Sequence, residues 1–372
     1  MDVQFAPVLA DASAFPPAVV KATPSLSVAD LFRFSGISTQ NYIFTRNGRA
    51  ALGIAAGSLE LAGRKNVILL PAYHCPALIE PFLWQGYQVK FYPVKADLFI
   101  DEQQFAALLT DDVTHCVVVR FFGFNQNADA VISLAAKAGK MVIEDSAHGL
   151  IDYIQRQSSI NSQVAARICS INKIIPTLDG GLLQLTAHQA QQPADCSWLE
   201  ELKAVAYLLK FPQLLGRLRK AKIAVPAATA AGITGQRRFK YFDPADLNTS
   251  SFRLTRQILK SCNPENIRLQ RQSNYRYLVQ GLSSANAGHC LYPHIDSEAP
   301  YVLPFLLKDA SLFSLLRKQK IQVLRWEEIA LSDCAISQSY RSRLIQLPCH
   351  HKLNQQQLDY IIAAVKSLEK NQ

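Results

Sequence analysis

The sequence predicts an α/β protein with a mostly parallel, doubly wound large domain and a smaller α+β C-terminal domain. Three observations predict it. Between residues 40 and 188, short apolar runs alternate with stretches of helical spacing, as strands joined by crossover helices do. At 372 residues the chain exceeds the ~250–300 at which a single core stops growing. Beyond residue 246, two helical stretches precede short apolar strands and a final helix. The expected division is 1–245 and 246–372. The first unit would include an N-terminal wrap over 1–35 and a basic helical insert at about 190–242.

Taken in order, residues 1–30 hold Pro16, Pro17 and Pro24 and little periodicity, which suits a segment lying on the surface. Asn47-Gly48-Arg49-Ala50-Ala51-Leu52 then opens a helix running on through Gly53 to Ala56. Small residues there leave backbone N–H groups free, at the positive end of the helix dipole, to hold a phosphate. Residues 68–94 read as strand, a loop carrying Tyr73, His74 and Cys75, helix, and strand. Residues 115–124 read as an apolar strand ending at Gly123, with a helix after it. Met141-Val142-Ile143 is an apolar strand that runs into Glu144-Asp145. Lys173 follows Asp145 by 28 residues on a short polar turn, and Gly180-Gly181 comes after it. In the second unit, 249–262 and 264–282 read as helices and 301–307 and 320–326 as short strands with a helix between them. The last helix is capped by Asn354, with Leu358, Ile361, Ile362 and Val365 as its apolar stripe.

A carboxylate at a strand end and a lysine on a nearby loop are the pair that pyridoxal 5'-phosphate (PLP) requires. The amine condenses with the cofactor aldehyde, and the carboxylate keeps the pyridine nitrogen protonated so that the ring can draw off electrons. Ligands of doubly wound sheets sit at the carboxyl ends of the strands, where Asp145 and the 73–75 loop both fall.

With these pieces assembled, the chain resembles the PLP-dependent sugar aminotransferases of the DegT/DnrJ/StrS group, which have the aspartate aminotransferase-type fold (fold type I). The matching segments are NGRAAL, PAYHCPALIEPFLWQGY, EDSAH, the lysine before LDGG, RQSNYRYL, and LPCHHKLNQQQLDYIIAAV. The resemblance spans roughly 40–188 well and 248–368 more loosely, and lapses between. It implies that Lys173 binds the cofactor and shuttles protons, that Asp145 pairs with the pyridinium nitrogen, and that His148 lies near the cofactor's 3'-oxygen. It also implies that Asn47, Gly48 and Arg49 form the phosphate turn, with Ser170 as the serine directed at the phosphate. For the residue that covers the ring, His74 or Tyr73 is expected, although Cys75 occupies the aligned position. Two departures stand out. Ser170 and Lys173 are only three apart, a shorter loop than the family pattern, which leaves open whether Ser170 reaches the phosphate. The family segment whose asparagine reaches the neighbouring subunit's site is missing, and Asn248 is the nearest replacement.

Each of these residues also has an ordinary reading. Asp145 could cap a turn, Lys173 could be a solvated lysine, His148 a satisfied helix-start histidine and Gly48 a turn glycine. The apolar flank Ile171…Ile174-Ile175-Pro176 argues against a solvent-facing Lys173. His74-Cys75 lacks the further ligands a zinc site needs, and Cys349-His350-His351 reads as a short polar surface tract, so no metal is expected.

The eight cysteines are scattered singly, which points to reduced thiols in a cytoplasmic setting. The N-terminal residues show no basic start followed by a long apolar core, so no secretory signal is expected. The net charge of +10 is concentrated: residues 202–242 contain nine Lys and Arg and no Asp or Glu. Three readings of this insert compete: a dimer arm, a flap that grips an anionic, nucleotide-linked substrate, or a basic amphipathic surface touching lipid through about 198–240 at the inner face of the membrane. Nucleic-acid binding is the weakest reading, because no stacking-aromatic pattern accompanies the charge. The functional expectation is a homodimeric aminotransferase that moves an amino group, with glutamate as donor, to a keto-sugar of glycan or secondary-metabolite biosynthesis. The alternative is a non-catalytic protein of the same fold serving as a scaffold in glycan assembly.

Overall fold

The computed structural model describes residues 3–10, 15–27, 30, 37–39, 41–156, 163–186, 190–208 and 239–368. The large sheet has seven strands: β1 (Ile43–Thr45), β2 (Val67–Pro71), β3 (Gln88–Tyr92), β4 (His115–Val119), β5 (Met141–Asp145), β6 (Ala166–Ser170) and β7 (Gly181–Leu185). Their order is β1-β7-β6-β5-β4-β2-β3. Strands β3, β2, β4, β5 and β6 run parallel, and β7 is antiparallel to both its neighbours. Every residue of β2, β4 and β6 is buried, which explains their unbroken apolar runs: a parallel strand is covered by helices on both faces. The helices of this unit are α1 (Gly48–Ser58), α2 (Pro76–Trp84), α3 (Glu102–Leu108), α4 (Ala128–Lys137) and α5 (Leu150–Gln155). The strand expected over 115–124 stops at Val119. Arg120 turns away into a buried ion pair, and Phe121–Gly123 form a 3-10 turn in which Phe122 has φ 58°.

The chain continues through α6 (Trp198–Leu208), α7 (Arg253–Ser261), α8 (Pro264–Leu282), β8 (Gly288–Cys290), β9 (Val302–Leu307), α9 (Leu312–Lys318), α10 (Ala335–Arg343), β10 (Leu344–Pro348) and α11 (Gln355–Ser367). A second, antiparallel sheet has the order β10-β9-β8. The strand expected at 320–326 does not form. This stretch makes only isolated bridges, Val20 with Ile321 and Leu324 with Gln346, and the partner of β9 is β10 instead. Asn354 caps α11 in a full capping box, and Leu358, Ile361 and Val365 are buried.

The N-terminal segment lies along 320–331: the Ala6 N–H donates to the Ile329 carbonyl, Leu331 N–H to Gln4, and Gln322 N–H to Val20. That cover changes the reading of Cys349-His350-His351. Cys349 and His350 are buried, not surface residues: the Cys349 thiol lies 3.8 Å from the Pro300 carbonyl, and His350 Nε2 is 3.2 Å from the carbonyl of Lys21 in the N-terminal segment. Of the insert, only 190–208 and 239–242 are described, and the segment 209–238 that carries most of its charge lies outside the described residues. Helix α6 leaves Trp198, Leu199, Leu202 and Tyr207 exposed. Where the chain returns, the Glu80 carboxylate in α2 accepts the backbone N–H groups of Lys240, Tyr241 and Phe242. Among the described residues no helix is long and apolar enough to cross a membrane.

Burial makes three histidines hard to protonate. His74 and His350 are pushed down to about 3 and His351 to about 2, burial being the main cause; the Arg271 charge adds to it at the last two. The unfolded chain would take up these protons at the ordinary ~6.5. Each folded value is depressed, so their contribution to stability is complete above ~6.5 and is lost as pH falls toward 3. Urea midpoints should therefore decline below about pH 6.5, and His350→Gln should flatten the decline. A midpoint that stays level through this range would contradict the burial argument.

Candidate active site

The carboxyl ends of β4, β5 and β6 lie beside the N-terminus of α1, and the site is built there. Strand alternation sends the two carboxylates at the end of β5 to opposite faces. Glu144 faces away from the site. Arg120 Nε donates to it at 2.8 Å, Ser146 Oγ at 2.7 Å, and Arg167 Nε lies 3.5 Å away. Burial alone would raise this carboxyl, but the two guanidinium groups hold it down to about 2. Asp145 faces the cavity. It is 2 % exposed and accepts the Ala147 N–H at 2.8 Å. Burial raises its pKa, against the opposing charge of Lys173. His74 Nε2 is 3.9 Å from Asp145 Oδ2, but His74 is neutral, so the contact is not an ion pair.

Lys173 stands on the turn between β6 and β7, flanked by the fully buried Ile171, Ile174 and Ile175. Its Nζ is 3.1 Å from His148 Nε2. Arg271, with no exposed surface, braces this turn from behind by donating to the carbonyls of Ile174, Pro300 and Tyr301.

At the other end of the cavity, Asn47 caps α1 by accepting the Ala50 N–H, and its amide donates to Asp246 at 2.7 Å. The first-turn amides of Gly48 and Arg49 have no intrahelical partner and border the cavity. The hydroxyl of Ser170 lies against Gly48; a Cβ on Gly48 would sit 2.5 Å from Ser170 Oγ. The short Ser170–Lys173 loop thus leaves Ser170 beside the helix terminus. The glycine pair has a steric cause. Gly180 has φ +115°, and a Cβ on Gly181 would lie 2.4 Å from both the Asn47 carbonyl and Thr45 Oγ1.

The cavity has a volume of about 370 Å³. It collects Asn47, Gly48, Arg49, His74, Cys75, Asp145, His148, Ser170 and Lys173. Two candidates fall elsewhere. The Tyr73 ring is fully buried behind the cavity, 4.8 Å from Trp326 and 5.9 Å from Tyr340. Asn248 is exposed on a 3-10 turn and does not line the cavity. Sequence reasoning missed Tyr301, Arg325, Trp326 and Gln346, which reach the cavity from the C-terminal part of the chain. Trp326 packs 4.6 Å from the His74 ring.

PLP fits these residues. A helix N-terminus with Ser170 and Arg49 suits a phosphate. Its Gly48 corner would be filled by any side chain. A buried carboxylate with one amide partner suits a protonated ring nitrogen, and Lys173 supplies the amine.

Gly181→Ala should lower stability by about 1–3 kcal/mol or more, since backbone must move. It should also weaken cofactor binding, because the displaced atom belongs to Asn47. Urea unfolding and cofactor titration test both effects, and a variant matching the parent in both would refute the steric reading.

Comparison with known proteins agrees with this fold. Residues 30–195 match the model of the DegT/DnrJ/EryC1/StrS aminotransferase family. The fold is similar to that of PseC from Helicobacter pylori, with a TM-score of 0.66 at 14 % identity over 96 % of this chain and 100 % of that one. It is also similar to the PLP form of Spr1654 from Streptococcus pneumoniae (TM-score 0.65, 14 % identity, 96 % and 98 % covered). CalS13 from Micromonospora echinospora gives a TM-score of 0.60 at 16 % identity, with 90 % and 89 % covered. These likenesses carry the fold, and the family model matches the part of the chain that holds Asn47, Asp145 and Lys173. Over residues 30–195 the chain is similar to the DegT/DnrJ/EryC1/StrS aminotransferase family, and with the fold this supports a PLP-dependent aminotransferase of fold type I.

Proposed function

We propose that this aminotransferase moves an amino group from an amino acid, glutamate by the family resemblance, to a nucleotide-linked keto-sugar. The observation that carries the reading is the convergence of Lys173, His148 and Asp145 on one cavity whose far end is a phosphate-type helix terminus. The neighbours' descriptions support a sugar acceptor: PseC is an aminotransferase involved in the biosynthesis of pseudoaminic acid, and CalS13 is a sugar aminotransferase. Charge supports anionic ligands, since Arg49, Lys173 and Arg325 line the cavity against the single carboxylate of Asp145. A second cavity of about 390 Å³ shares Cys75, Ala77, Leu324, Arg325 and Trp326 with the first and adds Tyr241, Arg317 and Glu327, which provides room for a polar acceptor. Asn248, exposed and outside this chain's cavity, is available to a second subunit, in keeping with a homodimer. All eight cysteines are free, as a reducing, cytoplasmic setting would keep them.

When bound, PLP supplies an aldehyde that accepts the amino group and a ring that withdraws electrons. The chain supplies the rest. Gly48, Arg49 and Ser170 would hold the phosphate. The buried Asp145 carboxylate would favour the charged form of the ring nitrogen. Lys173 Nζ would take the proton from the donor's α-carbon as a general base and then give it up as a general acid. Walls formed by Ile168, Tyr301 and Trp326 exclude water.

The purified protein, supplied with glutamate and nucleotide-linked keto-sugars, should form the amino-sugar, detected by mass. Lys173→Met should abolish turnover. Asp145→Asn should still bind cofactor and lose turnover on the order of 10²–10³-fold. Full turnover in either variant would remove that residue from its role, and no turnover with any keto-sugar would overturn the acceptor class.

A further inference from the structure

The His148 ring is held by four contacts. The Phe122 N–H points at Nδ1 from 3.2 Å, and Lys173 Nζ lies 3.1 Å from Nε2. The rings of Phe122 and Tyr301 lie nearly parallel to it, at 5.7 Å and 6°, and at 4.6 Å and 13°. A neutral imidazole has one N–H and one lone pair, and which nitrogen carries the proton is set by the partners. A backbone N–H can only donate. Nδ1 must therefore present its lone pair, and the ring proton belongs on Nε2, the side facing Lys173.

The donor is supplied by an unusual turn. Phe122 is a non-glycine residue with φ 58° and ψ 15°, a left-handed conformation that costs about 1–3 kcal/mol unless its surroundings enforce it. Here they do. The Phe122 carbonyl accepts the Tyr301 N–H at 2.8 Å. Gly123 follows with φ +88°, so close to its surroundings that a Cβ would lie 2.9 Å from the His148 carbonyl.

We propose that Phe122 is a positioning residue: its left-handed turn aims an N–H that fixes His148 as the Nε2–H tautomer, so His148 offers a proton to Lys173 and to whatever acceptor replaces it. When the lysine amine is uncharged, the form the reaction needs as nucleophile and base, its lone pair faces a donor of fixed orientation. The proposal rests on Lys173 being the reactive amine but is independent of the acceptor sugar.

The test is the tautomer itself, read by long-range ¹⁵N–¹H correlation on protein carrying labelled histidine, with and without PLP. The His148 signal is identified by its loss in His148→Gln. The Nε2–H tautomer is expected in the parent and in Lys173→Met. It is also expected in Phe122→Gly, where the N–H and positive φ survive while the stacked ring is lost. An Nδ1–H tautomer in the parent would overturn the proposal. So would a change of tautomer in Lys173→Met, which would make the lysine the determinant, or in a folded Phe122→Gly. PLP uptake is followed separately by absorbance, so failure to bind cofactor is told apart from failure of the tautomer assignment.

Discussion

The site depends on a constraint at the end of one strand: β5 carries two adjacent carboxylates, and the pleat forces them apart. Glu144 goes to the face where Arg120 and Arg167 await it, and Asp145 goes to the cavity. Each is nearly without solvent, so each needs its own compensation. Glu144 has it within the protein. Asp145 has one backbone amide and the charge of Lys173, an incomplete set that a cationic ring nitrogen would complete. Two neighbouring residues of the same charge thus meet different surroundings, one ion-paired and one facing the cavity, through strand geometry alone.

The lysine turn is secured by a second unusual feature. Arg271 is fully buried and donates only to backbone carbonyls, one on the Lys173 turn and two at the start of β9. It joins the large sheet to the C-terminal sheet behind the site. The left-handed Phe122 and the Tyr301 backbone make a parallel link a few residues away. The cavity is thereby walled by both sheets, and the position of Lys173 depends on contacts between parts of the chain about a hundred residues apart.

Much of this was legible in the sequence because the chemistry is local. Asp145 ends an apolar strand, Lys173 stands in an apolar turn, and Asn47-Gly48 opens a helix; each placement follows from a few consecutive residues. Gly180-Gly181 was recognisable as a motif, but its cause, the approach of the Asn47 carbonyl, needed the pairing of β7 with β1. Tyr73 and His74 could not be ranked, because successive residues of an extended loop point in opposite directions and only the fold decides which side is the cavity. Tyr301, Arg325 and Trp326 carry no local signal and reach the site through tertiary packing. The strand expected at 320–326 lost to β10, whose short apolar run pairs along all of its length with β9. Helix α10 is mostly polar, so no apolar stripe announced it. The tract at 349–351 looked like surface because nothing in it reveals that His350 meets the N-terminal segment and Cys349 packs against Pro300.

The central claim is that the amine of Lys173 is where PLP becomes attached. The direct measurement is the absorbance of the purified protein with PLP, before and after borohydride, followed by peptide mass mapping of the reduced adduct. The account predicts a cofactor band that disappears on reduction and a single adduct on Lys173. An adduct on another lysine, or a protein that takes up no PLP, would contradict it.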